Sequence, residues 1–156
     1  MPRIARFSDA EIAMLGKITS VAVLGDRRLE IGWDDGRVAP VDLSDVIDAC
    51  KALAPLKRAK EFARVAVSAD CWSLEWPSGV DFGAQQLRRW ADEQAGEIMR
   101  AAAFRAWMDE HGLTQEAAAQ ALGLSRRMIG YYLSGEKVIP KTVLLATVGW
   151  AHRVEA

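Results

Sequence analysis

The stretch that most constrains this chain is LTQEAAAQALGLSRRMIGYYLSGEKVIP, residues 113–140. Two short apolar-periodic segments are separated by one glycine, and each begins behind a hydroxyl side chain. Thr114 stands where an N-cap belongs, with Glu116 and Ala117 in the turn that follows; Ser125 stands likewise before the segment that starts at Arg126. A Ser or Thr oxygen in that place accepts from an amide that the helix leaves unpaired. Gly123 supplies a left-handed turn between the segments, and Ser134-Gly135 ends the second. Ahead of them FRAWMDEHG, residues 104–112, reads as a helix stopped by Gly112. Ala118, Ala121 and Leu122 form the buried side of the first segment, where small side chains let a neighbouring helix come close. Met128, Ile129, Tyr132 and Leu133 pack in the second.

Two capped helices joined by a tight glycine turn form the unit that docks into the major groove of double-stranded DNA, with the second helix as the reading helix. Its first residues are Arg126 and Arg127, and an arginine fork matches the two acceptors of a guanine edge. Tyr131 lies about one turn later on a similar face. Gln115, at the start of the preceding helix, and Lys137, beyond the reading helix, are placed for phosphates, and helix N-terminal amides also favour an anion. The residues expected at the DNA are therefore Gln115, Ser125, Arg126, Arg127, Tyr131 and Lys137. Arg105 and Lys141 read as ordinary surface charges.

The same residues carry a family likeness. Leu113-Thr114-Gln115, Ala118, Leu122-Gly123, Ser125, Ile129, Tyr132, Gly135 and Pro140 resemble the Cro/C1-type, or XRE-type, helix-turn-helix of phage repressors. The match extends over roughly residues 100–150 and implies an all-α, five-helix, lambda-repressor-like domain. Three positions depart from that pattern: Ala117 beside the usual core position, Gly130 inside the reading helix, and Leu133 where an acidic residue is common.

The first half has strand character instead. Ser8-Asp9-Ala10-Glu11 fits a capping box for a short helix to about Leu15. Val21 and Val23 alternate with smaller residues up to Gly25-Asp26. Leu29, Ile31 and Trp33 share one face of a second strand, Asp34-Asp35-Gly36 forms a tight turn, and Val38, Val41 and Leu43 continue a third. Pro40 places that third strand at an edge or a bulge. Ser44 then reads as the cap of a helix to about Ala54, with Val46, Ile47, Cys50 and Leu53 on one stripe and Pro55 closing it. Phe62, Val65 and Val67 suggest a fourth strand, and Trp72, Leu74 and Trp76 a fifth. A helix begins near Ala84 and meets Gly96, either as one long helix or as two. WDDG, VDLS and WPSGVD make this half, about residues 15–90, similar to the DUF2442 family, small α+β domains of bacteria. The fusion of such a domain to a helix-turn-helix resembles a known bacterial arrangement. Some members are regarded as antitoxin-like, which implies a possible protein-binding role for this half.

Hydrophobic residues at 51% and charged residues at 26% are enough for packed cores. Net charge is −1, divided as −2 over residues 1–96 and +1 over 97–156, so any positive surface must be local. Cys50 and Cys71 have no ligand spacing with each other or with His111 and His152, and no metal or cofactor is expected. Turn and cap chemistry accounts for Asp34, Asp35, Asp42, Asp45 and Asp81, so no residue is assigned a catalytic role. Trp33, Trp72 and Trp76 read as one core face, and His111 as a helix C-terminal residue. No apolar run has signal-peptide or membrane-spanning character, and a cytoplasmic protein is expected.

The expectation is an α+β chain: a small mixed α+β domain at 1–94, for dimerisation or partner binding, then an all-α helix-turn-helix domain at 97–156. As a homodimer it would read a two-fold operator and act as a regulator, not an enzyme. The alternative is an antitoxin-like module that binds a small toxin through its first domain and autoregulates.

Overall fold

The structure, a computed structural model, describes residues 16–155. The capping box at Ser8–Glu11 and its helix lie outside the described residues. The chain parts into two compact units between Gln94 and Ala95.

The first unit is built on two small antiparallel sheets. β1 (Ile18–Gly25), β2 (Arg28–Trp33) and β3 (Val38–Asp42) form one, in that order; β4 (Ala66–Val67), β5 (Ser73–Glu75) and β6 (Asp81–Gly83) form the other. Leu29, Ile31 and Trp33 are buried, as their two-residue spacing requires. The β2–β3 turn closes through Gly36 at φ 88°, with Trp33 N–H donating to Arg37 O. β3 is an edge strand and accommodates Pro40. Its inward residues are Ala39 and Val41, whereas Val38 is 60% exposed. The register Ile31–Ala39 and Leu29–Val41 sets that phase.

Three expectations need correction. The helix after β3, α1, spans only Ser44–Ala49, and Ser44 does not cap it. Instead the Asp42 carboxylate accepts from Ser44 N–H at 2.9 Å. The chain turns extended at Cys50, which is exposed, and continues as a 3₁₀ helix, Lys51–Lys57, that contains Pro55. A 3₁₀ turn tolerates Pro wherever the missing N–H would have found no acceptor. Phe62 ends the short helix α2 (Ala59–Phe62) and is not in a strand. Its carbonyl accepts from the Trp76 indole at 2.9 Å, which satisfies the buried N–H. Trp72 leaves the core face and is 37% exposed, with the Lys17 ammonium 5.7 Å from its ring. Helix α3 (Ala84–Gln94) lays Leu87 and Ala91 into the core and stops before Gly96, whose φ of 75° is incompatible with a continuous helix.

The second unit is helical: α4 (Ala101–Glu110), α5 (Gln115–Leu122), α6 (Arg126–Ser134) and α7 (Lys141–Glu155). Among the described residues it holds these four helices, not five. A two-stranded ribbon, β7 (Ile98–Met99) with β8 (Ile139–Pro140), brackets the first three. Phe104, Trp107, Met108, Ala118, Ala119, Ile129, Tyr132, Ile139 and Val143 form its core. Ala119 thus joins Ala118 as the buried side of α5, while Ala121 and Leu122 are half-buried. No helix among the described residues is long and apolar enough to cross a membrane.

Candidate nucleic-acid interface

A hydroxyl caps the start of each of α5 and α6. Thr114 Oγ1 accepts from Ala117 N–H at 3.1 Å, and Ser125 Oγ accepts from Met128 N–H at 3.1 Å. Between them Gly123 lies at φ 69°, ψ 32°, and Leu124 N–H donates back to Ala119 O at 2.9 Å, closing the carbonyl end of α5. The turn is short because glycine alone takes that backbone without a Cβ penalty.

Ile129 and Tyr132 anchor the inner side of α6, with the Tyr132 ring 5.8 Å from Phe104 in an edge-on arrangement. With one side held there, the 3.6-residue repeat turns Arg127, Gly130 and Ser134 away from the core. Arg126 and Arg127 are exposed, and neither forms an ion pair or hydrogen bond with another described residue. The first turn of α6 holds no acidic residue. Two free guanidinium groups therefore stand beside the amides of a capped N-terminus, a concentration of positive character in a chain of near-zero net charge.

Tyr131 and Lys137 meet. After α6 the chain reverses at Gly135 (φ 79°), Lys137 N–H donates to Tyr131 O at 3.2 Å, and the Lys137 ammonium sits 5.1 Å from the Tyr131 ring centroid. Ser134 Oγ donates to Tyr131 O and accepts from Glu136 N–H, holding that reversal. Sequence spacing did not reveal this pair, because only the geometry of the reversal brings residue 137 back over 131. Gln115 is exposed at the first position of α5. Lys141 instead faces Glu97 at 3.6 Å.

His111 caps α4; its Nδ1 lies 2.8 Å from Trp107 O, and its ring stands edge-on to Trp150 at 5.2 Å. Asp34, Asp35 and Asp42 in the first unit have structural partners. Asp34 accepts from Gly16 and Lys17 N–H. Asp35 is held below the usual carboxylate range by the Arg88 fork and then by Arg37 N–H. Asp42 is lowered by its bonds to Ser44. Among the described residues no three His, Cys, Asp or Glu side chains gather as a metal site.

Fold and site together define a two-unit protein: a small α+β unit followed by a helix-turn-helix unit. Residues 18–93 match the family described as "Protein of unknown function (DUF2442)", and residues 104–146 match the family described as "Helix-turn-helix". The chain belongs to the DUF2442 family and carries a helix-turn-helix domain behind that domain. It is similar to a crystal structure from Nitrosomonas europaea that bears the name of a candidate DNA-binding protein, at 39% identity over 86% of each chain and a TM-score of 0.50. No curated protein matches it.

Proposed function

We propose that this protein binds double-stranded DNA with sequence preference and regulates transcription, with α6 in the major groove. The observation that carries this reading is the pair of arginines, unpartnered among the described residues, at the Ser125-capped start of α6. Arg126 and Arg127 contact base edges and neighbouring phosphates; Ser125 and Gln115, at the two helix starts, contact the backbone. Lys137, steered by the Tyr131 ring, reaches a further phosphate. The name carried by the Nitrosomonas europaea relative supports the same reading. One helix-turn-helix offers few base contacts, so a homodimer on a two-fold site, with half-sites about one helical turn apart, completes the proposal.

The test is fluorescence-anisotropy titration of duplexes from upstream of the protein's own gene, over a salt series, for wild type and R126A/R127A. Selective binding that weakens with salt, and loss of selectivity in the double variant, is the expected result. Each phosphate contact makes the slope of log K against log salt more negative by about 0.9. Equal affinity of wild type and R126A/R127A for every duplex would overturn the role given to α6.

A further inference from the structure

The N-terminal sheet has two edges of opposite character. Trp33 N–H donates to Arg37 O, and Leu43 N–H to Arg27 O, so the odd residues of β2 turn toward β3 and the even ones toward β1. With the observed register, the outward backbone groups of β3 then belong to Val38, Pro40 and Asp42. Pro40 has no N–H to give, and Gln94 takes both groups of Asp42, accepting from its N–H at 2.8 Å and donating to its carbonyl at 2.9 Å. The β3 edge is blocked at Pro40 and Asp42.

Among the described residues the β1 edge is open at Val21 and Val23. Ser20 and Ala22 face Gly32 and Glu30 across the ladder, so Val21 and Val23 present their N–H and C=O outward. The last outward bond along this edge is Ile18 N–H to Cys71 O; β4 approaches β1 without bonding to it, and beyond Ile18 no described residue pairs with the strand. From Ile18 to Gly25 the sequence ITSVAVLG has no charge and no proline. Val23 and Leu24 are 42% and 47% exposed. Soluble proteins ordinarily protect such an edge with lysines, proline or a bulge in its middle. Here the irregularities lie only at the two ends, between Ile18 and Ser20 and between Val23 and Gly25.

We propose that β1 pairs with β1 of a second copy of this chain, antiparallel about a two-fold axis at Ala22, merging two three-stranded sheets into one. The parity fits this occupant. Val21 of one copy lies opposite Val23 of the other, each donating one backbone bond and accepting one, and Ala22 meets Ala22 in the non-hydrogen-bonded position where side chains come closest. A charge-free strand opposes itself without repulsion, and the paired valines join branched side chains across the seam. This deepens the two-fold part of the proposed function and needs no DNA.

The test uses the full chain without DNA. Sedimentation velocity is expected to show a dimer for wild type. A22K sets two ammonium groups face to face, and A22E two carboxylates. Each is expected to raise the dimer dissociation constant at least about tenfold, since opposed like charges are strongly disfavoured in an interface. An equimolar mixture of the two restores the dimer. Glu30 stands beside Ala22 on β2, so A22K keeps a favourable neighbour within its own fold. Amide exchange at Val21 and Val23 gives a readout free of substitution, with protection expected at concentrations where the dimer forms. A monomeric wild type overturns both this inference and the two-fold operator. A dimer that persists in A22K, exchanges freely at Val21 and Val23, or dissociates only on L145K/V148K in α7 overturns the β1 seam alone. Wild type that pairs only with a foreign strand overturns it as well.

Discussion

Gly130 lies mid-helix on the outward side of α6, and a Cβ built there meets nothing within 4 Å. Neither crowding nor a left-handed backbone requires glycine at this position. A glycine within a helix costs about 1 kcal/mol relative to alanine. Gly130→Ala is therefore expected to stabilise the helical unit by about that amount. For a unit of this size the gain raises its melting temperature by roughly 4–8 °C. If α6 enters the groove as proposed, the new methyl stands between Arg127 and Ser134, against the bases, and DNA affinity falls as stability rises. The assay pairs calorimetric melting of free protein with anisotropy titration on one duplex. Opposite signs in the two readouts are the signature of close approach by a ligand. Higher stability with unchanged affinity would refute the placement of this side of α6 at the DNA. A lower melting temperature would refute the open space around Gly130.

Three further outcomes follow from particular contacts. Ser125→Ala removes the only side-chain cap of α6 and is expected to cost about 1 kcal/mol, read as a lower midpoint in urea, whereas Ser125→Asp keeps the cap and the stability. Phe104→Ala, at a fully buried ring touching Trp107 and Tyr132, is expected to cost about 3–5 kcal/mol. Amide exchange should then show the helical unit opening while Leu29 and Val41 remain protected. Asp35, whose carboxyl is lowered first by Arg88, contributes stability above its unfolded value of about 3.9 and loses it as pH falls through the lower folded value. Urea midpoints of wild type and Asp35→Asn should accordingly differ at neutral pH and converge in acid.

What could be read from the residues alone was whatever a local rule decides. Thr114, Gly123, Ser125 and Gly135 act within three or four positions of themselves, and the caps and turns they make stand where the sequence placed them. Leu29, Ile31 and Trp33 alternate cleanly enough to fix β2. Apart from Ser44, whose N–H is taken by the nearby Asp42, the misreadings arose where a partner distant in sequence overrules a local pattern. Val46, Ile47, Cys50 and Leu53 are spaced as a helical stripe in the sequence, yet the chain leaves the helix at Cys50 and Leu56 enters the core. Phe62 looks like a strand residue until its carbonyl is needed by the Trp76 indole. At the candidate interface the charged residues were legible; the seating of Lys137 on Tyr131 was not.

The short ribbon of Ile98–Met99 with Ile139–Pro140 bears on how the reading helix is kept ready. Contacts between neighbouring helices are made by residues close in sequence, and such elements can fray one at a time. The ribbon instead joins positions about forty residues apart, so α4, α5 and α6 lie within a single loop of chain, like keys on a closed ring. Once the closure entropy is met, disorder in any one of the three is limited by ends that cannot drift apart. A peptide containing only the two helices of the turn would lack that closure. The surface carrying Arg126 and Arg127 is thus a property of the whole ring, not of the helix that bears them.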